Sequence, residues 1–343
     1  MRFAKGHGTG NDFLILPDLD DHLRLSSELI IRLCDRRTGL GADGVLRVVR
    51  TAAAGSGAPQ RPSGSGVPQR PPGSGVPQRP PGSGVPQRPS GSGVPQRPPG
   101  SGTRQPPAGP APEWFMDYRN ADGTVAQMCG NGIRVFARYL LDHDLATGPV
   151  IAVATRAGVR HVRLAEDGEF SVDMGAVQIL GSGSAVVGGR ACDGVAISVG
   201  NPHLACLVDA PVASFDLSSP PVLDPRRFPD GANVEIVRRR GDGELEMRVY
   251  ERGSGVTLSC GTGAVAAAAA AAIAAGGGPA GATANGGSAG NEQVSLSGSW
   301  TVQVPGGRLV VTLGETSVLS GPAVIVAEGE LTDAWLSGLV IGG

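Results

Sequence analysis

Two short stretches of the chain share the pattern Cys-Gly-X-Gly, with Cys-Gly-Asn-Gly at 129–132 and Cys-Gly-Thr-Gly at 260–263. Each follows a strand-like segment that contains a tyrosine and leads into a helix-like run. A cysteine directly before a helix lies beside free backbone N–H groups and a partial positive charge, which favour a thiolate and a bound anion. Two such thiols on opposite faces of an α-carbon would supply the base and the acid that inversion of configuration requires.

The surroundings of the two cysteines also repeat. A Gly-Asn pair followed by an apolar stretch occurs at 10–11 and again at 200–201, and Tyr118 and Tyr250 precede the two cysteines by eleven and ten positions. We therefore expect two pseudo-symmetric units that face each other across a cleft. The other three cysteines lack a glycine cradle and are predicted to pack in the core.

Composition excludes several classes of protein. A net charge of −2 gives no reason to expect nucleic acid or an anionic membrane as a partner. No signal core begins the chain, no apolar run reaches the length of a membrane span, and five scattered cysteines indicate reduced thiols, so we expect a cytoplasmic protein. Cys and His lack the spacing of a zinc site, and the single lysine, Lys5, is poorly placed for a pyridoxal phosphate Schiff base. We expect neither a metal nor a cofactor.

Residues 55–108 consist of six tandem nine-residue units rich in Gly, Pro and Arg. Such a composition cannot form a core, so the segment is predicted to be a disordered loop that replaces a hairpin turn. Pro-rich repeats with arginine also suit aromatic-lined grooves of partner proteins. A non-catalytic binding protein that uses this repeat is therefore one alternative.

The remaining sequence predicts an α+β fold. Alternating segments at 158–164, 168–173, 244–250 and 300–304 favour strands, whereas 27–35, 133–142 and 264–275 favour helices. A chain with many short strands and one helix after each cysteine is typical of the α+β class.

The sequence resembles the diaminopimelate epimerases, which are cofactor-independent enzymes with two catalytic cysteines. The resemblance rests on KGHGTGNDF at 5–13, RNADG at 119–123, CGNGIR at 129–134, GNPH at 200–203, YERG at 250–253 and CGTG at 260–263. It implies two pseudo-symmetric domains, each an antiparallel sheet or barrel around a central helix, with the active site in the cleft between them. The domains would span 1–172 and 173–321, with 322–331 returning to the first, and the enzyme would be a homodimer.

The resemblance also implies roles for individual residues in the epimerisation of L,L-2,6-diaminopimelate to the meso isomer. Cys129 and Cys260 would be the acid/base pair, supported by His203 and Glu251. The substrate would be bound by Asn11, Asn120, Gly130, Asn131, Asn201, Asn233, Glu251, Arg252, Gly261 and Thr262.

One position departs from the family pattern, since Gly44 stands where many members have glutamine. One substrate contact is therefore expected to be missing or to come from backbone or water. The nearest alternative function is that of a two-cysteine proline or hydroxyproline racemase of the same superfamily.

Overall fold

A computed structural model describes residues 1–54, 112–277 and 296–337. Its strands are β1 Arg2–Gly8, β2 Asn11–Pro17, β3 Gly44–Arg50, β4 Trp114–Asn120, β5 Val150–Thr155, β6 Gly158–Leu164, β7 Phe170–Gly175, β8 Gln178–Val187, β9 Arg190–Ser198, β10 Pro202–Leu207, β11 Val222–Leu223, β12 Asn233–Gly241, β13 Glu244–Glu251, β14 Gly255–Thr257, β15 Gly298–Val304, β16 Gly307–Leu313, β17 Ser317–Gly321 and β18 Val324–Glu330. The helices are α1 Ser27–Cys34, α2 Gly130–Asp142, α3 Gly261–Ala272 and α4 Asp333–Ser337, with a 3₁₀ turn at Val212–Ser214 and a π turn at Ile273–Gly277.

The strands form two series with the same order of directions. The first series runs β18-β1-β2-β3-β4-β5-β6-β7. The second runs β8-β9-β10-β12-β13-β15-β16-β17. Antiparallel pairing of β7 with β17 joins the two series. The predicted α+β fold with two pseudo-symmetric parts is confirmed; the domain limits stay a prediction.

The sheets are mixed rather than antiparallel, which corrects one detail of the expectation. In each series the third and fourth strands are parallel, and so are the fifth and sixth. A crossover segment between successive strands returns the chain to the same end of the sheet, so such strands pair in parallel. Helix α1 makes this crossover between β2 and β3, α2 makes it between β4 and β5, and α3 lies between β13 and β15.

Helices α2 and α3 lie inside the two series and contact most of their strands. The side chains of α3 are almost all alanine, and apart from Thr262 the helix is buried on every side. Alanine is a strong helix former, and its small side chain lets a sheet wrap closely around the helix. Helix α2 fills the wider first half with larger residues such as Phe136 and Leu140.

Both helices begin three residues earlier than the sequence predicts, at Gly130 and Gly261 rather than at residues 133 and 264. Glycine is a poor helix former, so the pattern favours a later start. The side chain of the preceding cysteine caps each helix and makes the glycine turn its first turn. Helix α1 is capped by Ser26, whose side chain accepts from the N–H of Leu29.

Strands β3 and β4 lie next to each other in antiparallel register, with Arg50 opposite Trp114. The long connection between them therefore leaves and rejoins the sheet at one place. The repeat at 55–108, predicted to be disordered, lies outside the described residues. In the part of the chain that the structure describes, no helix is long and apolar enough to cross a membrane.

Candidate active site

The thiols of Cys129 and Cys260 cap the two central helices. Each cysteine has extended backbone angles, and its sulfur accepts a hydrogen bond from the backbone N–H three residues on, that of Gly132 or Gly263, at 3.4 Å in both cases. A helix leaves its first N–H groups without partners inside the helix. Each thiol therefore sits at a small cluster of donors that could also receive an anion.

The first turns of the two helices meet. A Cβ atom added to Gly261 would lie 3.4 Å from Cα of Gly130 and 3.6 Å from the backbone N of Asn131. The Asn131 side chain crosses between the two turns and donates to the backbone oxygen of Ser259 at 3.1 Å. The structure thus brings together the two Cys-Gly-X-Gly stretches, which are 131 positions apart in the sequence.

A chain of amides lies behind Cys129. Oδ1 of Asn11 accepts from Nδ2 of Asn131 at 3.3 Å and lies 3.8 Å from the Cys129 sulfur. Nδ2 of Asn11 donates to Asp43 at 2.7 Å, and the buried guanidinium of Arg134 donates to Oδ1 of Asn131 at 3.0 Å. The orientation of every amide in this chain is therefore fixed by a charged group at one end or the other.

A different polar group lies behind Cys260. His203 is fully buried; its Nδ1 lies 2.7 Å from Oε1 of Glu235, and its Nε2 lies 3.0 Å from Oδ1 of Asn201. Glu251 hydrogen bonds to Thr257, and Oγ1 of Thr262 lies 3.5 Å from the Cys260 sulfur. This side of the site contains two carboxylates and an imidazole close to one thiol.

Burial has the largest effect on the pKa of both thiols. It raises the pKa of Cys129 to about 11, although the N–H of Gly132 and the charge of Arg134 act in the opposite direction. It raises the pKa of Cys260 well above the ordinary value, with further increases from Glu251 and Glu235. The sequence suggested that the helix ends would favour the thiolates. They do so, but removal from water has the larger effect.

Burial also raises the pKa of Glu251, although hydrogen bonds with Thr257 and Cys260 oppose the rise. A carboxyl group with a raised pKa is a stronger base once it is ionised. Glu251 therefore combines a raised pKa of its own with a place close to Cys260, whose pKa it also raises.

The remaining predicted substrate residues lie at strand ends near this site. Asn233 begins β12, and its Oδ1 accepts from the backbone N–H of Arg252 at 2.9 Å. The guanidinium of Arg252 is exposed and donates to the backbone oxygen of Asp230 at 3.0 Å. Asn120 ends β4 and donates to Thr124 at 3.0 Å within the turn that follows.

Gly44, the departure from the family pattern, begins β3 beside Asn120. A Cβ atom at this position would lie 2.6 Å from the backbone oxygen of Arg119 and 2.8 Å from the Tyr118 ring. A side chain here would therefore require the neighbouring strand to move, so this chain is built around glycine at that position.

Four residues of the site were not predicted to act there: Asp43, Arg134, Glu235 and Ser259. A signal exists for two of them, since Arg134 interrupts an apolar helix and Glu235 interrupts the apolar run Val-Glu-Ile-Val. A charged residue inside a buried element must be paired or hydrogen bonded. Asp43 and Ser259 carry no such signal, because both lie in short polar segments.

Comparisons with known proteins identify relatives of this chain. A family model for diaminopimelate epimerase matches residues 108–180 and 195–330. The diaminopimelate epimerase of Thermobifida fusca (strain YX) is 49% identical over 332 residues, which cover 96% of this chain and 98% of the relative.

Solved structures with much lower identity share the fold. A phenazine biosynthesis protein of the PhzF family from Bacillus anthracis is 14% identical, with a TM-score of 0.58, and the match covers 97% of this chain and 99% of that one. A probable proline racemase from Agrobacterium radiobacter K84 is 12% identical, also with a TM-score of 0.58, and the match covers 97% and 93% of the two chains.

Proposed function

Because the chain belongs to the diaminopimelate epimerase family, an isomerase family, we propose that it converts L,L-2,6-diaminopimelate to the meso isomer with the thiols of Cys129 and Cys260. The observation that carries the proposal is that both thiols cap helices whose first turns are in contact. A small substrate held by both turns would have one thiol on each face of its α-carbon.

The reaction is a transfer of one proton in each direction. The thiolate on one face removes the α-proton, and the electron pair of the broken C–H bond is delocalised into the adjoining carboxylate. The thiol on the other face then gives its proton to the carbon, which inverts its configuration. The thiolate and the thiol have exchanged roles, so the enzyme is ready for the reverse reaction, and no other co-reactant is consumed.

The helix ends supply the electrostatic stabilisation. Negative charge builds up on the substrate carboxylate as the proton leaves, and the backbone N–H groups of residues 130–131 and 261–262 belong to the two first turns that are in contact. Fixed donors of this kind stabilise the charge of the transition state without reorganisation. Asn11 and Asn131, held by Asp43 and Arg134, present amide groups of defined orientation beside these turns.

The strand-end residues recognise the rest of the substrate. The exposed Arg252 guanidinium suits the distal carboxylate, which it can bind with two parallel hydrogen bonds. The amides of Asn120, Asn201 and Asn233 and the carboxylate of Glu251 suit the ammonium groups. Glu251, close to the Cys260 thiol, supports proton transfer at that thiol, and His203 fixes the position of Asn201. Because both thiols must stay reduced, we place the reaction in the cytoplasm, where thiols are kept reduced.

Hydrogen exchange tests the proposal. Reduced wild-type enzyme is incubated with L,L-diaminopimelate in D₂O, and both isomers and the deuterium at the α-carbon are followed by NMR. We expect inversion with deuterium incorporation, and loss of inversion in Cys129→Ala and in Cys260→Ala. Arg238→Gln, which lies away from the site, serves as the matched control and should keep full activity.

Two outcomes would replace the proposal. Inversion of proline or hydroxyproline without inversion of diaminopimelate would favour the racemase alternative. No turnover of either, together with binding of a partner protein that is lost on deletion of residues 55–108, would favour the binding-protein alternative. A single species of twice the monomer mass in sedimentation equilibrium would support the predicted homodimer.

A further inference from the structure

A buried carboxylate, Glu235, lies beside one thiol and takes no part in the proton transfer described above. Glu235 and His203 are both completely buried and lie 2.7 Å apart. The second carboxylate oxygen, Oε2, has no hydrogen-bond partner among the described residues. Burying a carboxylate with a free oxygen is costly, so its presence calls for an explanation at the site.

The position of Glu235 relative to Cys260 is defined by Gly263. A Cβ atom at Gly263 would lie 2.8 Å from Oε1 of Glu235 and 3.3 Å from the Cys260 sulfur. The carboxylate and the sulfur therefore both lie next to the Cα atom of Gly263, on the side where another residue would carry its Cβ atom, under the first turn of α3. A negative charge there repels a thiolate on Cys260.

The matching position beside Cys129 is apolar. Leu46 is the third residue of β3, just as Glu235 is the third residue of β12. A Cβ atom at Gly132 would lie 3.2 Å from Cδ2 of Leu46. Among the described residues, a leucine therefore occupies the position under α2 that Glu235 occupies under α3.

The charged and titratable groups that affect the two thiols differ in one more way. Glu251 and Tyr118 interact with both thiols. Of the remaining charged groups, the cation of Arg134 favours the thiolate of Cys129, and the anion of Glu235 opposes the thiolate of Cys260. His203 lies between Glu235 and Asn201, and its charge lowers the pKa of Glu251 instead.

We propose that Glu235 is a positioning residue that makes the two thiols unequal, so that Cys129 ionises first and Cys260 keeps its proton in the free enzyme. The proposal rests on the proposed function only in the choice of the two cysteines. The free enzyme is then ready for the stereoisomer whose α-proton faces Cys129, and the other isomer meets an enzyme that must first exchange the proton between its thiols.

Alkylation of the thiols measures their ionisation without any substrate. Full-length reduced enzyme is treated with iodoacetamide at a series of pH values, and the rate at each cysteine is obtained by peptide mass spectrometry. Only the thiolate reacts, so the rate follows the thiolate fraction. In the wild type we expect the rate at Cys129 to rise at a lower pH than the rate at Cys260.

The variant Glu235→Gln removes the charge but keeps an oxygen that can accept from His203. At fixed pH it should speed alkylation of Cys260 by about tenfold, which corresponds to one pKa unit, and leave Cys129 within about twofold of the wild type. Glu235→Leu, which copies Leu46, should shift Cys260 in the same direction. Rates that change equally at both cysteines, or at neither, would overturn the proposal.

Three other cysteines report on folding in the same experiment. Cys34, Cys192 and Cys206 are buried, and burial raises the pKa of each. Their continued lack of reaction shows that a variant is folded, and their reaction would mark a rate increase at Cys260 as unfolding. If Glu235→Gln unfolds, Glu235→Leu decides the question. Because no substrate is present, failure of the proposed epimerisation would leave this result unaffected.

Discussion

The two halves of the molecule share a strand framework but surround their thiols with different side chains. In the first half Phe13 lies opposite the first residue of the parallel neighbour strand, and in the second half His203 occupies the same place. Two positions further along that neighbour strand stand Leu46 and Glu235. The apolar pair of the first half has thus become an ionisable pair in the second.

The comparison separates the features that occur in both halves from those that occur in one. Both halves have a cysteine cap, a glycine turn and an asparagine two residues before the Phe13 or His203 position, namely Asn11 and Asn201. In the proposed reaction these common parts would bind and invert a substrate from two sides. The imidazole and its carboxylate occur on one side only, so they serve the difference between the two thiols.

Replacement of either cysteine should have the largest effect. Inversion needs a base on one face and an acid on the other, so Cys129→Ser and Cys260→Ser should each reduce kcat for the interconversion of the isomers by about 10³-fold or more. Polarimetry in both directions measures this rate. If one variant kept more than about a tenth of the activity, the two halves would not act as a pair.

The next largest effect is expected on the free energy of unfolding, when His203 and Glu235 are replaced by the residues found at the matching positions of the first half. His203→Phe leaves the Glu235 carboxylate buried without its partner, which should lower the free energy of unfolding by about 3 kcal/mol. The double variant His203→Phe with Glu235→Leu restores an apolar pair and should recover most of this loss. Urea unfolding followed by circular dichroism measures both, and a double variant less stable than the single would contradict the comparison.

Alanine in the two glycine turns should show a smaller difference. A Cβ atom at Gly263 would lie 2.8 Å from the Glu235 carboxylate, whereas one at Gly132 would lie 3.2 Å from a flexible leucine side chain. Gly263→Ala should therefore cost about 1–3 kcal/mol of stability and Gly132→Ala less. Thermal unfolding of the two variants in parallel provides the test, and equal losses would argue against a rigid carboxylate beneath α3.

The smallest predicted effect is on the stability of the first half in acid, and it comes from Asp117 on the outer face of the sheet. Burial of Asp117 acts to raise its pKa, but hydrogen bonds from Arg119 and Arg156 and their charges prevail, so the pKa is lowered. A lowered pKa stabilises the folded protein above the pKa of the unfolded state, and the contribution is lost as the pH falls below about 4.

Asp117→Asn removes this titration, so its unfolding free energy should fall less steeply than that of the wild type between about pH 5 and pH 3. Arg248 occupies the corresponding place in the second half and donates to the backbone oxygen of Phe215 at 3.0 Å, so a cation stands there instead of a buried carboxylate. Equal slopes in the two proteins would show that Asp117 does not control acid unfolding.

Sequence patterns predict the common parts of the two halves better than their differences. The repeated Cys-Gly-X-Gly stretches and the Gly-Asn pairs predict two similar units, and the strand and helix types follow from local periodicity. The apolar run around Glu235 signals a buried carboxylate that needs a partner, but it does not show that the partner is His203 or that Cys260 lies nearby. Only the position of α3 inside the second series buries that carboxylate.

The acidity of the thiols illustrates the same limit. The sequence shows that each cysteine precedes a helix, which lowers the pKa of its thiol. It does not show how deeply Cys129 and Cys260 are buried, and burial raises the pKa of both. The two effects have opposite signs, and the larger of them depends on contacts with strands that lie far away in the chain.

The position of β18 beside β1 limits the order in which parts of the chain can fold. Arg2 of β1 lies opposite Glu330 of β18, so the edge of the first half is completed by the last strand that the structure describes. A growing chain usually folds its N-terminal part first during synthesis. Here the first half must wait with an unpaired β1 edge until β18 has been synthesised, and contacts of such long sequence separation form slowly. Maturation of both halves is therefore expected to be a single late event.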